Sequence, residues 1–223
     1  MLVPRAVLVT FVALLTSVLL AGCGSAGPSV SSPPSGSSAL PMDQRVAPGD
    51  LAGLPSPQGV QAASTPDDFA KLVDPDDAED PDLAEQRNQD AARVKEAGFV
   101  TAAVKNYGNN DSGFGVSVAV QTGSPDQAKA YEQRLYDEEF AKELPDDAVK
   151  GTIAGAAASH TLIVSAEDEG QTHTLGLASF VDGSFVYILN AGGTAPAVTQ
   201  DAAKSVIDAG NALYAKVKDR PAT

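Results

Sequence analysis

The stretch Leu175-Gly-Leu-Ala-Ser-Phe-Val181, then Asp182-Gly183-Ser184, then Phe185-Val-Tyr-Ile-Leu-Asn190 decides the architecture. Two runs of β-branched, aromatic and aliphatic residues flank a turn centred on Asp182-Gly183, a strong signal for a two-residue hairpin loop. A second hairpin lies upstream. Phe114, Val116, Val118 and Val120 alternate with Gly115, Ser117, Ala119 and Gln121, the pattern of a half-buried strand. Asn109-Asn-Asp-Ser-Gly113 joins that strand to a looser one over residues 99–107. Leu162, Ile163 and Val164 mark a further strand, and residues 149–153 a weaker one.

Helices punctuate these strands. Thr65-Pro66-Asp67-Asp68 offers a cap, a first-turn proline and acids that suit the helix dipole. That helix stops at Asp74-Pro75. Asp80-Pro81-Asp82 opens another helix that runs to Ala97 and ends at Gly98. Ser124-Pro125-Asp126-Gln127 is a capping box for a helix carrying Ala128, Tyr131, Leu135, Phe140 and Leu144, ended by Pro145. The last helix bears one apolar stripe: Ala203, Val206, Ile207, Gly210, Leu213, Tyr214 and Val217. Gly210 within it points to close contact with a sheet. The order α-α-β-β-α-β-β-β-β-α, connected by hairpins, specifies an α+β fold. Its sheet is mostly antiparallel, with about five to six strands and helices packed on one face.

The chain has 223 residues, 43% of them apolar and 20% charged, which suits a globular protein and excludes wholesale disorder. Aromatics make up 5%, so the core is built mainly from Val, Leu, Ile and Ala. A formal charge of −14 argues against nucleic acid, whose phosphates need Lys and Arg. One Cys excludes an intrachain disulfide and a Cys-rich zinc site, and two His exclude a His-rich metal centre.

Arg5 followed by the apolar run from Ala6 to Leu19 has the make-up of a signal peptide and is short for a membrane span. It ends in Leu20-Ala21-Gly22-Cys23, where the two small residues let a peptidase reach the backbone. Here the chain resembles bacterial lipoproteins, and the four residues match their lipobox. The resemblance implies cleavage between Gly22 and Cys23, a diacylglycerol thioether on Cys23, membrane lipid as a partner, and a location on the outer side of the cell membrane. Removing residues 1–22 takes away Arg5, the one charged side chain there, and moves the formal charge from −14 to −15.

The expected organisation is a signal peptide over residues 1–22, a tether over 23–63, and one α+β domain over 64–223 whose acidic helical lead-in runs to about residue 97. The tether assignment rests on runs such as Ser31-Ser-Pro-Pro-Ser-Gly-Ser-Ser38, which offer no periodic apolar surface. As a coil of ~40 residues it would hold the domain about 35 Å from the bilayer. High Ala and Asp with scarce Lys and Ile suggests a GC-rich genome, and with the Ser/Pro tether the chain resembles small actinobacterial surface lipoproteins.

Several side-chain groups bear on chemistry. Asp74, Asp76, Asp77, Glu79 and Asp80, with Asp82 beside them, supply oxygens of the kind Ca²⁺ takes. Counting from Asp74, however, Ala78 and Glu79 fall where a calcium loop needs an oxygen ligand and a glycine. The run reads as a solvated acidic linker and, at most, a weak cation candidate. Glu139 and Glu143 are one turn apart, the spacing of an acid–base carboxylate pair or of an exposed helix face. His160 and His173 are the available bases for Ser159, Ser165 or Ser179, but no nucleophile elbow surrounds any of these serines. Gly151, Gly155, Gly192 and Gly193 lack phosphate-loop spacing. With no Trp, sugar stacking would fall to Tyr107, Tyr131, Tyr187 and Tyr214, of which Tyr131 and Tyr214 lie on core stripes.

No catalytic residue set and no cofactor follow from these readings. They favour a membrane-anchored extracytoplasmic module that binds an envelope protein or a small ligand. An envelope hydrolase working through Glu139 and Glu143, or a structural envelope component, are the alternatives from other classes.

Overall fold

The computed structural model describes residues 39–218 and 220, apart from 57, 74–80, 110–112, 143 and 169. Gly22, Cys23 and the acidic run of Asp74, Asp76, Asp77, Glu79 and Asp80 lie outside the described residues. Among the described residues seven strands form one sheet: β1 (Gln61–Ala63), β2 (Thr101–Asn109), β3 (Gly113–Gln121), β4 (Val149–Gly151), β5 (Ser159–Asp168), β6 (Gln171–Asp182) and β7 (Phe185–Thr194). The helices are α1 (Pro66–Val73), α2 (Pro81–Glu96), α3 (Pro125–Leu135) and α4 (Gln200–Val217).

The sheet order is β1-β2-β3-β7-β6-β5-β4, and every pairing is antiparallel. The fold is therefore α+β, with seven strands rather than the five or six expected. The additional strand is β1, three residues long and too short to show a period. The β6–β7 hairpin pairs Asp182 with Phe185, so Gly183 and Ser184 are the two loop residues. Gly183 takes φ 59°, a left-handed conformation that glycine adopts without a Cβ clash.

Helix caps follow the sequence signals. The hydroxyls of Thr65, Ser124 and Thr199 accept the backbone N–H groups of Asp68, Gln127 and Ala202 at 3.1, 3.2 and 3.2 Å. Gly98 (φ 70°) ends α2 by donating its N–H to Lys95. The expected run of α3 to Leu144 is not found. After Leu135 the chain widens into a π-turn, Tyr136–Phe140, in which Ala141 N–H reaches Tyr136 O at 2.7 Å.

The sheet is covered on both faces, not one. On the first face α1, α2 and α3 bring Phe69, Val94, Ala128 and Tyr131 onto Val116, Val118, Val120, Leu162, Leu177 and Val186. On the second, α4 lays Val206, Leu213 and Val217 over Ala178, Phe180, Tyr187 and Leu189. Close approach there depends on small residues. A Cβ on Gly176 would stand 2.5 Å from the carbonyl oxygen of Ala203, and one on Gly210 would stand 2.7 Å from Ala178 Cβ.

The rest of the second face is closed by residues 39–55, which fall within the segment expected to be tether. Leu40, Val46, Ala47, Leu51 and Leu54 are buried there. This strap has no regular period, so side chains of the sheet satisfy its backbone. Ser117 Oγ accepts Ala47 N–H at 2.9 Å, and Tyr107 donates its hydroxyl to Ala47 O at 2.7 Å. Lys105 donates to Gly49 O at 2.8 Å. Arg45 is buried, with Nε on Leu40 O at 3.0 Å, Nη1 on the Tyr187 hydroxyl at 2.6 Å, and its guanidinium 4.1 Å from the ring centroid of Phe185. Residues 40–54 of the expected tether thus pack into the core of the domain.

Candidate ligand-binding cleft

An open cleft of about 360 Å³ lies where the β5–β6 hairpin meets the start of α4. Strand alternation builds its sheet wall. Ser165 pairs across the strands with Thr174, and Glu167 with Thr172, so all four share the α4 side of the sheet. The link from β7 to α4 supplies the opposite wall with Thr199 and Gln200, over a buried Val198. Asp147 enters from the turn before β4, where Ala148 N–H closes on Pro145 O at 3.1 Å.

The cleft is internally hydrogen-bonded. Ser165 and Thr174 hydroxyls are 3.2 Å apart, Gln200 Nε2 donates to Ser165 Oγ at 3.4 Å, and Thr172 Oγ1 donates to Glu167 Oε1. The cap bond from Ala202 N–H leaves the Thr199 hydroxyl proton free for a ligand.

The other sequence candidates fall elsewhere. His173 Nδ1 lies 3.2 Å from Thr194 Oγ1, and Ser159 Oγ accepts Ile153 N–H at 3.0 Å, so neither meets a catalytic partner. His160 and Ser179 are adjacent across β5 and β6, but Glu132 of α3 stands between their polar atoms. Glu132 Oε1 accepts from Ser179 Oγ at 2.5 Å and contacts His160 Nδ1 at 2.9 Å. Ser179 therefore addresses the carboxylate and not the imidazole, and it is buried. This is not the order a nucleophile–base–acid relay requires. The His160 ring stacks on Tyr136 at 3.8 Å, held there by the π-turn. Glu132 was missed in the sequence. Its signal was position, because Ala128, Tyr131, Glu132 and Leu135 recur at three and four on one face.

Glu139 Oε1 receives Arg93 Nη2 at 2.7 Å, while Asp90 and Glu138 contact the same guanidinium at 2.8 and 3.3 Å. Arg134 in turn holds Glu138 and Glu96, and these bonds, Arg134's first, keep the Glu138 carboxyl below its ordinary range. Glu139 is thus an ion-pair member, and Glu143 lies outside the described residues. Among the described residues no group of three or more His, Cys, Asp or Glu is placed to hold a metal ion, and no helix is long and apolar enough to cross a membrane.

The fold and cleft define a class: an antiparallel α+β domain buried on both sheet faces, with a polar cleft at one end of its longest helix. No family model and no curated protein matches the sequence. Among solved structures, the extracellular domain of PknH from Mycobacterium tuberculosis is similar at 18% identity, over 70% of this chain and 79% of that one, with a TM-score of 0.31.

Proposed function

We propose that this protein is a lipid-anchored extracytoplasmic binding protein, tethered through Cys23, whose α+β domain presents the Ser165–Thr199 cleft to a small ligand. The observation that carries the anchor is Leu20-Ala21-Gly22-Cys23 after an apolar run, with the only Cys of the chain at that position. Sixteen residues, Gly24 to Ala39, separate Cys23 from Leu40, a buried residue of the strap. Their contour is at most about 55 Å. A diacylglycerol supplies two acyl chains, enough for stable attachment, whereas one binds reversibly. A formal charge near −15 offers no competing attraction to anionic lipid.

A binding role rather than hydrolysis is supported by Glu139, whose oxygen is committed to Arg93, and by Ser179, which is buried against Glu132. Radiolabelled palmitate feeding and detergent-phase partitioning of wild type and Cys23→Ala test the anchor. The expected result is label and detergent partitioning in the wild type and no label in the variant. An unmodified, water-soluble wild-type protein would overturn it.

A further inference from the structure

We infer that the cleft between the β5–β6 hairpin and α4 binds a small organic ammonium that also carries hydroxyl groups. The inference deepens the binding role proposed above and is independent of the lipid anchor. It follows from which hydrogen-bonding valences remain open. The Thr172 proton goes to Glu167 Oε1, and Ser165, Thr174 and Gln200 are engaged with one another. Open acceptors are the second oxygen of Glu167, both oxygens of Asp147 and the amide oxygen of Gln200. Asp147 makes no side-chain hydrogen bond or ion pair with another described residue. Open donors are the Thr199 hydroxyl, the second Nε2 proton of Gln200 and whichever hydroxyl of the Ser165–Thr174 pair accepts the other's proton. A fitting ligand therefore brings several N–H or O–H donors and at least one acceptor.

Charge then selects among such ligands. Among the described residues the cleft lining has two carboxylates and no Lys, Arg or His. The N-terminus of α4 contributes roughly half a positive charge at most. Asp201 in the same first turn pairs with Lys204 at 3.1 Å, so the two cancel and Asp147 and Glu167 remain dominant. Anions are disfavoured and a cation is favoured. The volume, about 360 Å³, suits a ligand of one ring or a short chain. Among the described residues no aromatic ring lines the cleft, so a neutral sugar lacks a stacking platform there and gains less than an aminated one.

The test uses three matched probes on the full chain in detergent micelles: glucosamine, glucose and glucuronate. They share a ring and differ chiefly in charge. Saturation-transfer NMR is recorded at pH 6.5, where the amine is protonated. The inference expects transfer to glucosamine, little to glucose and none to glucuronate. It also expects at least tenfold weaker glucosamine binding in Asp147→Asn/Glu167→Gln and marked weakening at high salt. Both substitutions are on exposed side chains and preserve shape, and circular dichroism checks the fold. No transfer to glucosamine would overturn the inference, as would glucosamine binding that survives both substitutions. Equal binding of glucose and glucosamine, lost on Thr199→Val, would overturn the ammonium class while leaving the cleft as a binding site.

Discussion

Arg45 Nη1 donates to the hydroxyl of Tyr187 over 2.6 Å, joining residues 142 apart in sequence and fastening the aperiodic strap to the centre of the sheet. The same guanidinium holds Leu40 O and covers Phe185. Arg45→Ala should cost about 2–4 kcal/mol, because buried acceptors lose charged donors and the strap loses its pin. Arg45→Lys should recover little, since an ammonium lacks the planar fork. Urea denaturation of the variants measures this. Wild-type midpoints in both would show that the strap is not fastened by Arg45.

Chain boundaries follow from the strap. A fragment beginning at residue 39 should unfold cooperatively near the full-length midpoint. One beginning at residue 64 should fail to fold, because it uncovers Tyr107, Phe185 and Tyr187, all buried in the intact domain. Limited proteolysis with mass spectrometry should give a core starting near Ala39. A resistant core starting near Thr65 would contradict the strap.

Two glycines should resist replacement. Gly210→Ala gains about 1 kcal/mol of helix propensity. Yet its Cβ would stand 2.7 Å from Ala178 Cβ, so overpacking of about 1–3 kcal/mol should make the net effect destabilising. Gly176→Ala should be worse, since its Cβ would meet backbone atoms of Ala203 at 2.5 and 2.9 Å and they cannot rotate away. Gly59→Ala, with nothing within 4 Å, is the control and should be neutral or slightly stabilising. Thermal unfolding ranks the three, and a Gly176→Ala protein as stable as Gly59→Ala would refute the packing.

Glu132→Ala should destabilise by about 2–4 kcal/mol, because it strands the buried Ser179 hydroxyl and removes the partner of the half-buried His160 ring. Adding Ser179→Ala should recover part of the loss, since one stranded donor disappears with its hydroxyl. A double-mutant cycle reads the coupling, expected at about 1 kcal/mol or more. Strict additivity would mean that the 2.5 Å contact between Glu132 and Ser179 contributes nothing.

Alkaline titration should couple to unfolding. Burial pushes the Tyr187 hydroxyl up to about 12, against the opposing pull of Arg45, and burial likewise raises Tyr107 and Tyr131. In the unfolded chain these groups ionise near the ordinary value of about 10. The folded state then binds more protons than the unfolded one above pH ~10, so stability is intact below that and falls as pH rises toward ~12. Tyrosinate absorbance at these residues should appear together with loss of circular dichroism. Phenylalanine at position 187 should reduce the alkaline loss. Reversible ionisation of all five tyrosines with the fold intact would count against their burial.

The secondary structure was legible because its signals are local. Caps at Thr65 and Ser124, the Gly98 stop, the turn glycine Gly183 and the α4 stripe all act within a few residues of where they are written; the Thr199 cap was not read, and the hairpin loop is Gly183-Ser184, one residue on from the expected Asp182-Gly183. The element order over residues 66–217 follows from them. Two other features depended on partners distant in sequence. In β3 the large valines alternate with Gly115, Ser117 and Ala119, which reads as apolar against polar but is large against small. The small side proves to be the seat of the strap. The strap itself has no sustained period: beyond a 3₁₀ turn at Met42–Gln44 and a Leu51–Leu54 bridge, its course is set by Ser117, Tyr107 and Lys105 of the sheet bonding its backbone and by its own Arg45. The cleft is the same case. Ser165, Thr174, Thr199 and Asp147 come from four separate segments, and only strand pairing and the docking of α4 bring them together. The sequence determined which helices and hairpins form. The tertiary structure decided which side chains face each other, because register and close packing are properties of pairs of segments and no single segment encodes them.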